Sequence, residues 1–185
     1  MAYYVMTCEG VFPSAAMKGG PKLGDPPWLH GRIVKNIPIP LTYTLDPDRP
    51  GNLVAMYEGM KYPIMRDDLI EALQAVGVNN LQLFEAIIRD PVTGREYSNY
   101  KAFNIVGVVS AADMEKSVLM GTSDSKMIDA DFDSLVIDEK RAAPFRLFRL
   151  AENVSAIIVD DVVKKEVECR GIPGMVFYDP RDWSG

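Results

Sequence analysis

Ile64–Phe84, IMRDDLIEALQAVGVNNLQLF, and Ile158–Tyr178, IVDDVVKKEVECRGIPGMVFY, align without a gap at an offset of 94 residues. Asp67 falls on Asp161 and Gly77 on Gly171, while apolar residues coincide at Leu69/Val163, Leu73/Val167, Val78/Ile172, Leu81/Met175, Leu83/Phe177 and Phe84/Tyr178. An Asp at a helix start accepts hydrogen bonds from the free N–H groups of the first turn, and Asp68 with Glu71 has the spacing of a capping box. Apolar residues four apart put one stripe against a sheet. Gly77 and Gly171 suit the left-handed residue that ends a helix, each followed by an apolar residue able to fold back on the last turn. A two-residue turn, Asn79-Asn80 or Pro173-Gly174, then leads into a strand. The two stretches therefore predict one supersecondary unit used twice, with helices over 67–76 and 161–170 and a strand after each.

Outward from these units, LQLFEAIIRD and YKAFNIVGVVS are strand-like runs joined by DPVTGRE, whose Pro and Gly make it a hairpin connection. Residues 2–7 (AYYVMT) read as a strand, and 9–31 as a long irregular segment rich in Gly and Pro. Short β-like runs follow (RIVKNI, LTYTL, LVAMY), which the Pro residues between them mark as edge strands. Residues 111–133 are polar and mixed, and SLVID and FRLFRL read as strands before the second unit. Few helices and many strands indicate an α+β fold with mainly antiparallel pairing. A length of 185 residues with 48% hydrophobic content suits a single domain spanning 1–185.

Acidic residues outnumber basic ones 26 to 20, a net charge of −6, which argues against a nucleic-acid or anionic-membrane surface and for a basic partner. The excess is uneven: +1 over 1–50, −2 over 51–110 and −5 over 111–185. Cys8 and Cys169 stand too far apart for a zinc or CxxC motif and read as reduced thiols. With neither a leader pattern nor an apolar run of membrane-spanning length, a cytoplasmic protein is expected.

Motifs for chemistry are few. His30 is the one histidine, so any mechanism needing two imidazoles is excluded, and no nucleophile-elbow pattern accompanies it. DADFDSLVIDEK places Asp129, Asp131 and Asp133 at positions one, three and five of a calcium loop, but Ser134 replaces the required Gly and Lys140 the bidentate Glu. A solvated acidic loop is the better reading. GGPKLG lacks the Lys-Ser/Thr ending of a phosphate loop. Asp67, Asp68, Asp160 and Asp161 are explained as caps before they are explained as acid–base pairs. The ten methionines read as core filling. No cofactor, metal or catalytic residue is expected.

The order of segments resembles a known family. A strand with paired tyrosines (Tyr3, Tyr4), the capped helix and strand from Arg66 to Phe84, YKAFNIVGVVS, SLVID, and LFRLAENVSAIIVDDVVKKEVECRGIPGMVF are similar to the immunity proteins found beside polymorphic toxins in bacteria. The family is the eleventh of the immunity series, formerly a domain of unknown function, with a myxobacterial type member. The resemblance runs over residues 50–178 and is most specific at Leu147-Phe148-Arg149-Leu150 with Ile157 and Ile158; Asp160-Asp161 departs from a Ser-containing helix start. It implies a role and no catalytic residue: binding and blocking a cognate toxin by stoichiometric occlusion.

The expected partner surface is the acidic segment carrying Asp124, Asp129, Asp131 and Asp133, with the loop holding Trp28 and His30 as its other component. In that loop Trp28 is apolar enough to anchor on the core while its indole N–H finds a partner. The alternative is a small hydrolase or ligand-binding enzyme with a pocket near Trp28 and His30. Neither the toxin's chemistry nor the oligomeric state is written in the sequence.

Overall fold

The computed structural model describes residues 2–24, 28–120 and 130–185. Strands β1 (Tyr3–Cys8), β2 (Met17–Gly19), β3 (Leu41–Leu45), β4 (Met56–Tyr57) and β5 (Ile64–Arg66) precede helix α1 (Asp67–Ala75). The hairpin β6 (Leu81–Arg89) and β7 (Glu96–Ile105) follows, then β8 (Val108–Val109), β9 (Val118–Leu119) and β10 (Phe132–Ser134). A short α2 (Glu139–Ala142), β11 (Leu147–Leu150), β12 (Ile157–Asp160), α3 (Asp161–Cys169), β13 (Met175–Tyr178) and a 3₁₀ turn at Pro180–Asp182 complete the order. One sheet runs β13-β1-β12-β11-β8, a second β2-β3-β6-β7-β5-β4, and β9 with β10 form a two-stranded ribbon. Pairing is antiparallel except for β3 on β6 and β8 on β11, so the fold is α+β.

The repeat is visible in the hydrogen-bond register. β7 lies antiparallel between β5 and β6, aligning Ile64, Ala102 and Phe84 in one row. β1 lies antiparallel between β12 and β13, aligning Ile158, Val5 and Tyr178. Each unit is therefore two parallel strands joined over a helix and split by an antiparallel strand, with corresponding residues 94 apart in both outer strands. The central strands correspond as well, Val5 to Ala102 and Met6 to Phe103, at a spacing of 97. In the first unit the central strand follows directly; in the second it comes from the other end of the chain.

Helix α1 buries Leu69, Ile70, Ala72 and Leu73, and α3 buries Val163 and Val167, so both present the predicted stripe. The two helices pack on one another and share a core with Met6, Met65, Phe103, Ile157 and Val159, which draws on one face of each sheet. Each fully buried Leu or Val in it contributes about 1.5–3 kcal/mol of transfer free energy. A second core lies on the other face of the five-stranded sheet, around Tyr3, Phe132, Phe148 and Ile158, and a third on the other face of the six-stranded sheet, around Trp28, Tyr43, Ile64 and Tyr100. Gly77 and Gly171 have φ of 86° and 62°, the left-handed conformation that ends each helix. Gly174 serves a different need: a Cβ there would stand 2.6 Å from Gly10 Cα, so a side chain would push the two backbones apart.

Several sequence expectations are corrected. Arg66, not a carboxylate, is the N-cap of α1 and makes no capping bond, so the Asp68–Glu71 capping box does not form. In α3 the cap is Asp160, while Asp161 occupies the first turn and pairs with Lys165. RIVKNI is not a strand: Asn36 takes a left-handed φ of 56° that breaks the extended run, and the side-chain amide of Gln82 takes a strand's place, accepting from Val34 N at 2.8 Å and donating to Val34 O at 3.0 Å. SLVID splits, because Ile137 makes only a bridge to Ala112 and Asp138 caps α2. LTYTL is not an edge, being paired by β2 and β6.

Candidate functional site

The β9–β10 ribbon positions the described part of the acidic segment. Leu119 opposes Phe132, whose ring is fully buried in the second core, and Met120 N donates to Asp131 O at 2.9 Å. On its other side Phe132 exchanges backbone hydrogen bonds with Gly185 at 2.8 and 3.2 Å, and Leu135 N donates to Pro180 O at 3.1 Å, so the ribbon is backed by the C-terminal residues. Side chains alternate along a strand. With Leu119 and Phe132 inward, Val118, Met120, Asp131 and Asp133 are the exposed set. Asp133 is the extra residue where the register shifts between Phe132 and Ser134, a bulge that breaks the edge and re-aims a side chain.

The ribbon therefore presents two apolar side chains, 54% exposed at Val118 and 42% at Met120, beside two carboxylates. Met114 extends the apolar part, and Glu115 adds a further exposed carboxylate. The neighbouring cation, Lys116, is held at 2.6 Å by Asp113, whose carboxyl is lowered below the usual range by that bond. The outward face of the ribbon thus combines exposed apolar side chains with exposed carboxylates. The expectation that the methionines fill the core fails at Met114 and Met120, which are exposed, and the exposure of Val118 was not read from the sequence, although its alternation with Leu119 is written in SVLM; a run that short is hidden inside a polar segment.

Asp124 and Asp129 lie outside the described residues. Trp28 is 3% exposed, its ring 4.9 Å from Phe84 and 5.2 Å from Tyr62, and its backbone N–H donates to Lys61 O. It anchors the loop as expected, but the indole N–H has no hydrogen-bond acceptor and the side chain offers no surface for docking. His30 is exposed. Trp28 belongs to the third core and the ribbon to the second, so the two parts of the expected surface stand on different cores.

The carboxylates at the helix starts are accounted for by their contacts. Asp160, buried, accepts from Val162 N at 3.1 Å and Val163 N at 2.9 Å and lies 3.4 Å from Arg146. Asp67 pairs with Lys101 and Asp68 with Arg66. Among the described residues no group of three or more His, Cys, Asp or Glu side chains is placed to hold a metal ion.

Two of the surface cavities have described residues as their walls. One of about 240 Å³ is walled by Tyr3, Leu135, Glu139 and Arg181. The other, about 450 Å³, is walled by Cys8, Glu9, Tyr57, Glu58 and Met60 among others. Neither is lined by Trp28 or His30. Burial raises the Cys8 thiol pKa, with Glu58 adding to the effect against backbone hydrogen bonds, so the sulfur stays protonated and is not an activated nucleophile. Arg149 is enclosed in the sheet, its guanidinium pushed down to about 10 by burial against the opposing field of Glu58, with Nη1 donating to Val154 O at 2.8 Å.

Among known proteins, the model of an immunity protein family (Imm11) matches residues 26–182, which take in both helix–strand repeats and strands β9 and β10 and leave out β1. No curated protein matches the chain.

Proposed function

Because the chain belongs to the Imm11 immunity protein family, we propose that it binds a cognate toxin and neutralises it stoichiometrically, by covering it, in the cytoplasm of the cell that makes both. The observation that carries the reading to a place on the molecule is the outward face of β9–β10. Val118 and Met120 supply apolar contact, and Asp131 and Asp133 supply charge complementary to a basic toxin surface. Aromatic and Met-rich contacts anchor protein interfaces, while rim charges chiefly speed encounter. Asp124 and Asp129 belong to the same acidic segment and extend its charge. The hydrolase alternative draws no support from His30, which stands exposed and lines neither cavity.

Co-production with the toxin encoded by the adjacent gene tests this. The expected result is a complex of fixed stoichiometry in size-exclusion chromatography with light scattering, and cell protection that ends once toxin exceeds this protein. Protection at far substoichiometric amounts, with a covalently altered toxin, would identify an enzyme instead.

A further inference from the structure

Phe12 is 94% exposed and its neighbour Val11 50%, on a loop whose backbone is fastened on both sides. Glu9 N donates to Gly174 O at 3.0 Å, Asn52 N to Pro13 O at 2.8 Å, and Ala15 N to Asn52 O at 2.8 Å. Gly51 fits the same loop so closely that a Cβ there would stand 2.4 Å from Pro13 O. Folding explains a pinned loop but not the aromatic ring it holds in water, where a polar residue would serve as well. Rigidly presented aromatics are the usual anchors of protein interfaces, because little side-chain freedom is lost on binding.

The loop borders the 450 Å³ cavity: Glu9 and Ser14, which flank it on either side, both line the space. Its walls include the Tyr57 ring and the Met17 and Met60 side chains, and its charged members are Glu9 and Glu58, with no Lys or Arg among the lining residues. Glu58 is held in place, its Oε1 accepting from Thr7 Oγ1 at 2.5 Å and Cys8 N at 3.0 Å. Glu9 accepts from the Tyr178 hydroxyl. Arg149 is in electrostatic reach of Glu58 but is buried and does not line the space. Apolar walls with two fixed carboxylates match a long aliphatic stem ending in a delocalised cation, and a weakly hydrated guanidinium suits such walls better than an ammonium.

We propose that this cavity receives an arginine side chain of the toxin while Phe12 packs against the toxin surface beside it, a second contact that rests on the toxin-binding reading above. The surface is separate from the β9–β10 ribbon.

Two measurements test it. In the first, n-propylguanidinium, an arginine side chain without its backbone, is titrated into the isotope-labelled full chain and followed by NMR. Saturable shifts at Cys8, Tyr57, Glu58 and Met60 are expected, weakened at least tenfold in Glu58→Gln, a change that keeps the acceptor for Thr7 and Cys8. Absence of shifts, or equal binding by Glu58→Gln, overturns the cavity assignment. In the second, Phe12→Ala and Glu58→Gln are each expected to raise the toxin Kd at least tenfold at unchanged Tm. Unchanged affinity in both, with the complex intact, overturns the inference and leaves toxin binding standing. Failure of the unaltered chain to bind toxin overturns the toxin reading and the toxin's arginine with it, while the titration still decides what the cavity takes.

Discussion

Asp160 and Arg66 occupy the same place in the two repeat units, yet only Asp160 caps its helix. Its Oδ1 accepts from two first-turn N–H groups of α3, whereas Arg66 at the start of α1 turns its guanidinium onto Asp68 with bonds of 2.8 and 2.7 Å. The helices nevertheless have the same length, 9 residues each. Packing of the apolar stripe, rather than the cap, thus sets where each helix runs.

Asp160→Ala should cost about 1–2 kcal/mol, near the upper end for a cap because the carboxylate is buried and also faces Arg146. Arg66→Ala should cost less, about 0–1 kcal/mol, since it removes only a partly exposed ion pair. Urea unfolding of both variants checks the order, and equal losses would contradict it.

Burial tends to raise the Asp68 pKa, but the hydrogen bonds and charge of Arg66 and the Leu69 N–H outweigh it, leaving the carboxyl below its ordinary value. Its contribution to stability is therefore complete above the unfolded value of about 3.9 and is lost as pH falls through the depressed folded value. Asp68→Asn should flatten the acid limb of the Tm profile below about pH 4. A profile parallel to that of the unaltered protein would show that the pair does not contribute.

Converting Asp124, Asp129, Asp131 and Asp133 to Asn should slow association with a basic toxin and flatten its dependence on salt, because the Debye length at physiological ionic strength is about 8 Å and steering by exposed charge is screened. Thermal stability should change little. Stopped-flow association across a salt series is the measurement; an unaltered rate and slope would remove this segment from the interface.

Trp28→Ala and His30→Ala, two residues apart, should behave in opposite ways. The first deletes a ring packed on Tyr62 and Phe84 and should cost about 3–5 kcal/mol. The second removes an exposed imidazole and should leave both Tm and cell protection intact. A folded His30→Ala protein that binds toxin but no longer protects would argue for catalysis.

The helices and the strands after them were legible because apolar spacing and a terminal glycine act within one stretch of chain, and α1 and α3 begin where the 94-residue offset places them, although the capping bond exists only in α3. The equivalence of β1 and β7 was not. YYVMTC and YKAFNI share a tyrosine and an alternation, and alternation tells which face is buried without naming the neighbour across the ladder. The ribbon was hidden for a related reason: its inward positions are Leu119 and Phe132, supported by Ala111, Ala112, Ala130 and Ala156, and small residues carry little periodic signal. Phe12 and Trp28 both fall in the segment 9–31 where a loop was expected, and nothing in a loop's composition says that the first faces out and the second in.

The placement of β1 between β12 and β13 also sets the order of events during synthesis. The first unit, 64–105, has its own central strand close behind it and can close while the ribosome is still at work. Strand β1 is made before that unit and stays without ladder partners until residues 157–178 have been made. The helical face of α1 waits equally long for α3, so the shared core between them is completed last, by long-range contacts that form slowly. A ribosome stalled before residue 157 has emerged would thus hold a chain with one finished unit and an apolar strand open to aggregation. Chaperone demand should concentrate in the interval between completion of the first unit and emergence of residues 157–178.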